Sequence, residues 1–232
     1  MCGRFTYHND SEQAAKTFGV DRSLPLPSFT PSYNIAPSQS ALTGACIDSS
    51  TRVLMVMSWG LLPHWADPDR LKARPINARA ETAHQLPMFR SSFKSKRCLI
   101  AADGFYEWKQ TPSIKVPHYI TLASGEAFAF AGLWDAWQPK DSGDPVYTCT
   151  ILTTEANEFM AEIHNRMPAI LKPQDYGEWL DSTYQNVDGL MGLISPERVP
   201  KLRAWPVSKL VNSPKNNDRK LIEAADLSNY KI

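Results

Sequence analysis

Residues 97–109 read RCLIAADGFYEWK, and no other stretch says as much about the fold. The segment 97–102 is a short apolar run, which is typical of a buried strand. Asp103 and Gly104 follow it and form a pair that favours a tight turn. The segment 105–109 continues as extended chain. The sequence therefore predicts two strands that meet at Asp103-Gly104.

Further strands are predicted on both sides of this stretch. They cover residues 52–59, 118–123, 127–134 and 146–153, and two sets of side chains alternate along the last of them. Residues 20–39 are rich in Pro and Ser, so we expect an irregular loop there. The tail from Ser195 onward alternates Pro, Asn and Lys with short apolar runs.

Three short helices are predicted between and around these strands. Asp10 is suited to cap a helix that ends at Gly19. Thr154 is suited to cap a second helix, because apolar residues follow at 156, 159, 160 and 163. Pro168 disfavours helical backbone before it and so limits that helix. Pro173 begins a third helix, which runs to residue 180.

The order of these elements shows no regular alternation of strand and helix. We therefore expect an α+β fold. It is a single domain over residues 1–232, with an antiparallel sheet or open β-barrel core flanked by short helices.

The composition is that of an ordinary globular chain. Hydrophobic residues make up 43% and charged residues 21%, which excludes a disordered chain. No apolar run is long enough for a membrane span and no signal peptide opens the chain, so the expected location is the cytoplasm. The formal net charge is only +1, so a nucleic-acid partner would require positive charge that is concentrated locally.

The sequence has four cysteines, at Cys2, Cys46, Cys98 and Cys149. They form no CxxC pair and no close cluster with histidines. We therefore expect neither a metal site nor a disulfide framework. Cys98 and Cys149 lie in apolar stretches, where a free cysteine behaves as a small core residue.

Cys2 is distinguished by its position. Removal of Met1, which we expect because general aminopeptidases accept a small second residue, leaves a free α-amine next to the thiol. An α-amine titrates at about 7.7–8.0, far below lysine, so part of it is unprotonated at neutral pH. An aldehyde can condense with that amine, and the thiol can then close a five-membered thiazolidine ring.

The neighbours of Cys2 favour this chemistry. Gly3 leaves the backbone free to turn, and Arg4 is expected to lower the pKa of the thiol. On position alone, a cysteine that is there by accident remains an alternative.

Several short blocks, taken together, carry a family resemblance. They read MCGRF at 1–5, YNIAP at 33–37, WGL at 59–61 with Pro63 and Trp65, NARAET at 77–82, DGFYEW at 103–108, GLW at 132–134 and IHNRMP at 163–168. Val211-Asn212 and Asn217-Asp218 match the C-terminal end. The sequence resembles the SOS-response-associated peptidase (SRAP) domain family, and residues 66–74 lie between blocks without a match.

The resemblance implies three catalytic roles beside that of Cys2. Asn77 would hold the Cys2 amine or the sugar through its amide, the alternative being a turn asparagine. Glu107 has aromatic neighbours that can desolvate its carboxylate and suit it to proton transfer, although an exposed strand residue is an alternative. His164 would shuttle a proton as the sugar opens and the imine forms. Its alternative role is to cap a helix C-terminus.

The same resemblance implies a surface for DNA. Arg4, Arg79 and Arg166 each stand close in sequence to a proposed catalytic residue, and arginine forks match phosphate oxygens. Trp65 and Trp108 would stack on splayed bases. Solvated charge is the alternative for the arginines. For Trp134, Trp137, Phe89 and Phe93 we expect core packing.

The function implied by the resemblance is to sense abasic sites in single-stranded DNA and to form a covalent thiazolidine crosslink through Cys2. Lyase activity by β-elimination would compete with ring closure. No cofactor and no membrane partner are expected, and a monomer is. One alternative is an autoprocessing peptidase with Cys2 as its N-terminal nucleophile and Glu107 or His164 as the base. Another is a non-catalytic module that binds single strands.

Overall fold

The computed structural model describes residues 2–48, 51–140 and 143–226. Met1, whose removal the sequence predicts, lies outside the described residues. The strands are β1 Phe5–Tyr7, β2 Ser32–Ile35, β3 Ser40–Cys46, β4 Arg52–Trp59, β5 Asn77–Arg79, β6 Arg97–Ala102, β7 Gly104–Gln110, β8 Lys115–Leu122, β9 Phe128–Trp137, β10 Val146–Glu155, β11 Arg166–Pro168, β12 Ile170–Leu171 and β13 Leu202–Pro206. The α-helices are α1 Ser11–Phe18, α2 Ala80–Ala83, α3 Arg90–Ser95, α4 Glu158–Ala161, α5 Tyr176–Leu180 and α6 Val187–Leu193. Short 3₁₀ turns cover Pro173–Asp175, Pro196–Arg198, Lys209–Asn212 and Arg219–Ile222.

The strands form two sheets. One has the order β13-β8-β7-β1-β2, and the other runs β11-β10-β4-β3-β6-β9-β12. In the second sheet β9 also pairs with β10, so the pairing path returns on itself. The pairings are antiparallel apart from those of β10 with β4 and with β5. The α+β fold with antiparallel sheets and short flanking helices is thus confirmed.

The stretch 97–109 differs from its predicted form in one respect. Both strands are present, but β6 belongs to the second sheet and β7 to the first, so they are not paired with each other. The Asp103 carboxylate accepts the His8 N–H at 2.6 Å and the Asn9 amide at 2.7 Å. At Gly104 a β-carbon would lie 2.4 Å from the Tyr119 ring. The pair therefore carries the chain from one sheet to the other, and the predicted tight turn is wrong.

The predicted helices agree with the structure at two of three positions. The Asp10 side chain accepts the Gln13 N–H at 2.9 Å and caps α1, which Gly19 ends with a positive φ of 64°. The helix that starts at Pro173 begins as a 3₁₀ turn and continues as α5.

The helix predicted after Thr154 is shorter and begins later than expected. Thr154 lies within β10, opposite Met167 of β11, and Asn157 caps the four-residue helix α4 instead. Strand pairing with β11 holds the chain extended as far as Glu155, and this outweighs the local helical spacing of apolar residues.

Sequence patterns missed the strands that depend on distant partners. The expected loop 20–39 contains β2, and the tail contains β13, which pairs with β8. The buried Asn34 amide of β2 donates to the carbonyls of Ser213 at 3.0 Å and Asn216 at 2.9 Å. A strand that is stabilised by the far end of the chain gives little local signal.

Four of the six residues expected in the core are buried, and two are only partly buried. The side chains of Cys98, Cys149, Phe89 and Phe93 are buried, as predicted. Trp134 and Trp137 are only half-buried. In the described part of the chain, no helix has the length and apolar character needed to cross a membrane.

Arg97 gives a test of how the second sheet is held against α5. This buried residue starts β6. Its guanidinium donates to five backbone carbonyls, those of Trp179, Phe93, Lys94, Asp181 and Tyr184.

We expect Arg97→Ala to lower the free energy of unfolding by about 3 kcal/mol or more, because it leaves buried carbonyls without donors. Urea unfolding measures this. The exposed Arg90 of α3 is the matched control, and Arg90→Ala should change stability by less than about 0.5 kcal/mol. Equal effects of the two substitutions would contradict the assignment.

Candidate active site

Cys2 and Glu107 are brought together by the pairing of β1 with β7. Phe5 lies opposite Phe105 in an antiparallel register, so the residues before Phe5 run alongside those after Phe105. Glu107 is only 3% exposed, in the buried half of β7. The sequence prediction that these two residues share one site agrees with this arrangement.

The Cys2 thiol is buried, and its surroundings disfavour the thiolate. Its Sγ donates to the Arg4 carbonyl at 3.6 Å. Burial raises the pKa of the Cys2 thiol well above its ordinary value, and the negative charge of Glu107 raises it further. The expected lowering of this pKa is wrong in its net direction, because burial dominates and Arg4 lowers the pKa only through a backbone hydrogen bond. The Arg4 guanidinium donates to the carbonyls of Gly3 at 2.9 Å and Asn212 at 3.5 Å. The thiol therefore needs a base, and Glu107 is the carboxylate whose charge it feels.

Asn77 fixes the backbone of Cys2. β5 runs parallel to β10, with Asn77 opposite Ile151, and the Asn77 amide nitrogen donates to the Cys2 carbonyl at 2.8 Å. This contact is to the carbonyl of Cys2, and the predicted contact with the amine or the sugar stays a prediction. The Asn77 Oδ1 is buried without a hydrogen-bond partner among the described residues. This leaves an acceptor close to the backbone of Cys2.

His164 lies between α4 and β11, and its tautomer follows from its contacts. The Arg166 N–H lies 3.0 Å from His164 Nδ1, and a backbone N–H can only donate. The neutral ring therefore carries its proton on Nε2. The Arg166 carbonyl lies 3.2 Å from the same Nδ1. The peptide unit of Arg166 thus contacts one nitrogen of the imidazole through both its N–H and its carbonyl.

The three arginines expected to bind phosphate lie in different surroundings. Arg79 is exposed at the end of β5. Arg4 is half-buried and donates to backbone carbonyls. Arg166 forms a bidentate pair with Glu81, at 2.8 and 2.9 Å, and its side chain is 15% exposed. Arg79 therefore has the most accessible charge of the three.

The two tryptophans expected to stack on bases are in separate places. Trp65 is 55% exposed and lines a cleft of about 790 Å³, together with His64, His84, Arg90 and Lys94. Trp108 does not line this cleft, and its indole N–H donates to Asn212 Oδ1 at 2.9 Å. Trp108 therefore lies beside Arg4, because both residues donate to Asn212, whereas Trp65 lies in a separate basic cleft.

Asn212 and Glu81 are site residues to which sequence reasoning gave no role. Asn212 contacts both Arg4 and Trp108, and Glu81 binds Arg166. Both stand inside the short blocks that carry the family resemblance, which was the only signal for them. Among the described residues, no three His, Cys, Asp or Glu side chains converge as a metal site would require.

A family model matches most of the chain. The family model for SOS response associated peptidase (SRAP) matches residues 1–214. The chain belongs to this family, as its sequence blocks predicted.

Curated relatives and solved structures are similar along nearly the whole chain. The abasic site processing protein YoqW of Bacillus subtilis is 46% identical over 225 residues, which cover 97% of this chain and 100% of that protein. The abasic site processing protein HMCES of Xenopus tropicalis is 33% identical, with 88% of this chain and 69% of that protein covered. A crystal structure of a protein from Bacteroides thetaiotaomicron has a TM-score of 0.84 at 26% identity, and the match covers 97% of this chain and 100% of that one.

Proposed function

We propose that this protein captures abasic sites in single-stranded DNA by forming a covalent crosslink through Cys2. The observation that carries the proposal is the environment of Cys2. Its thiol is buried and close enough to Glu107 for the carboxylate charge to raise its pKa, and its carbonyl accepts a hydrogen bond from Asn77. The names of the curated relatives support abasic-site processing as the activity.

The chemistry needs the α-amine first and the thiol second. With Met1 removed, the α-amine of Cys2 attacks the C1′ aldehyde of the open sugar, and loss of water gives an imine. The sulfur then adds to the imine carbon, and the thiol proton ends on the nitrogen through Glu107. The product has the mass of the shortened protein plus the DNA less one water.

The remaining site residues have roles in the steps before ring closure. His164 donates a proton from Nε2 as the sugar opens and as water leaves. The buried Asn77 Oδ1 accepts from the amine or from a sugar hydroxyl. If the imine loses its C2′ proton before the sulfur attacks, β-elimination cuts the strand, so lyase activity competes with the crosslink.

The strand is held by charge and by stacking. The exposed Arg79 contacts a phosphate near the abasic site, and Trp65 stacks on a base in the basic cleft. Arg4 and Trp108 both donate a hydrogen bond to Asn212. This places them together near the Cys2 thiol, where they contact the strand.

The family description favours a second candidate, a cysteine peptidase that uses the same thiol. Cys2 would then attack a peptide carbonyl, with Glu107 or His164 as the base. Cleavage of a peptide that contains no aldehyde would support this candidate.

A denaturing gel tests the proposal directly. Protein with a C-terminal tag is mixed with single-stranded DNA that carries one abasic site. We expect a band shift that survives denaturant and high salt, and an intact mass that shows the loss of one water. The matched control is the same oligonucleotide with an intact base. A shift with that control, or none with abasic DNA, would overturn the proposal.

A further inference from the structure

The pair between Glu81 and Arg166 joins two parts of the site across β10. Thr153 of β10 is opposite Arg79 of β5 on one edge and opposite Pro168 of β11 on the other. Glu81 lies in α2, which directly follows β5, and Arg166 begins β11. The pair therefore ties the segment that carries Asn77 to the segment that carries His164.

The guanidinium of Arg166 is fixed at several points along this path. Both of its terminal nitrogens donate to the Glu81 carboxylate, and one of them also donates to the Thr153 carbonyl at 2.5 Å. A bidentate pair sets the plane of the guanidinium as well as its distance. These side-chain contacts act together with the pairing of Arg166 and Glu155 in the β10–β11 register to hold the start of β11 in place.

That backbone determines the state of His164. The Arg166 N–H donates to His164 Nδ1 at 3.0 Å, which leaves the proton of the neutral ring on Nε2. A shift of the Arg166 peptide would move the N–H donor away from His164 Nδ1 and so weaken the contact that sets the tautomer. A misplacement of about 1 Å in a catalytic group can lower a rate by about 100-fold.

We propose that Glu81 is a positioning residue, which acts through Arg166 to hold His164 with its proton on Nε2. The part of the inference that concerns rate rests on the proposed function. The part that concerns the tautomer does not.

The first test reads the tautomer without any DNA. Protein labelled with ¹⁵N-histidine is studied by NMR, and His164→Gln identifies the His164 signals. We expect the wild-type ring to show a protonated Nε2 and an unprotonated Nδ1 at a pH where it is neutral. Glu81→Gln should give a mixture of the two tautomers. An unchanged tautomer in Glu81→Gln would overturn the proposal.

The second test separates the rate from DNA binding. In single-turnover crosslinking to abasic DNA, Glu81→Gln should lower the maximal rate about 10-fold. The DNA concentration at half-maximal rate should stay the same or fall, because a negative charge near the phosphates is lost. General destabilisation would not tighten binding while it slows the reaction. A normal maximal rate, or weaker DNA binding as the main effect, would contradict the positioning role.

Two controls complete the design. Glu155 is exposed and lies opposite Arg166 in the β10–β11 register, and it makes no ion pair with the described residues. Glu155→Gln makes the same change of charge and should react at the wild-type rate.

In a His164→Gln background, Glu81→Gln should cause no further loss of rate, since the effects of residues that act through one group are not additive. A full additional loss there would overturn the proposal. If the wild-type protein forms no adduct at all, the proposed function fails and the tautomer result alone decides the role of Glu81.

Discussion

A residue retained before Cys2 is expected to abolish the denaturant-stable adduct with abasic DNA. With Met1 in place, or with an N-terminal tag that cannot be removed, the nitrogen of Cys2 belongs to a peptide bond. Its lone pair is delocalised into the carbonyl, so it cannot form an imine. The thiol alone could add to the aldehyde only as a reversible hemithioacetal, which denaturant and dilution would release.

The measurement compares the tagged protein with the same protein after its tag has been cleaved to expose Cys2. The tagged form should still bind undamaged single-stranded DNA, because Arg79 and Trp65 lie outside the altered bond. Cleavage should restore the crosslink. Cys2→Ala is a second comparison: it should lose the stable ring and keep some lyase activity, since its α-amine remains. Crosslinking of the blocked form at the normal rate would require a lysine or another cysteine as the nucleophile.

Glu107→Gln is expected to slow adduct formation by about 100-fold or more. The amide keeps the size of the side chain and its place on β7 but cannot take the thiol proton. Because burial raises the pKa of the Cys2 thiol, few thiolates form spontaneously at neutral pH, and the base is required. His164→Gln should slow the reaction to a similar extent by removing the proton donor. Single-turnover rates over a range of DNA concentrations measure both effects.

Arg79→Ala is the matched variant with the opposite expected behaviour. The exposed guanidinium should contribute to binding and not to proton transfer, so noncovalent affinity should fall while the maximal rate stays near that of the wild type. The slope of log affinity against log salt should decrease by about 0.7 for one lost phosphate contact on a single strand. If Glu107→Gln and Arg79→Ala gave the same pattern, this division of roles would be wrong.

Local sequence was a good guide wherever a single segment determines its own conformation. Asp10 and Gly19 limit α1 through their own cap contacts, and the apolar run at 97–102 is a buried strand. The tight turn predicted at Asp103-Gly104 was wrong, because a pair that forms a turn and a pair that carries the chain between two sheets look alike in sequence. Which of the two forms depends on distant groups, here His8, Asn9 and Tyr119.

The candidate site shows the same division. The sequence predicted roles for Cys2, Asn77, Glu107 and His164 from short blocks and from the chemistry of an N-terminal cysteine, and these roles stay predictions. It did not show that Asn77 binds the carbonyl of Cys2, and it gave the wrong direction for the thiol pKa. Both depend on what surrounds Cys2 after folding.

The sequence by itself determined the family and the α+β character of the chain, and it predicted the residue types of the proposed chemistry, because all of these follow from side chains and their local spacing. Only the tertiary structure decided which charges are free and which are paired. Arg79 and Arg166 look equivalent in sequence, yet one is exposed and the other is bound to Glu81 across β10. The physical reason is that burial and pairing are set by residues brought together from opposite edges of a strand, and no local pattern records them.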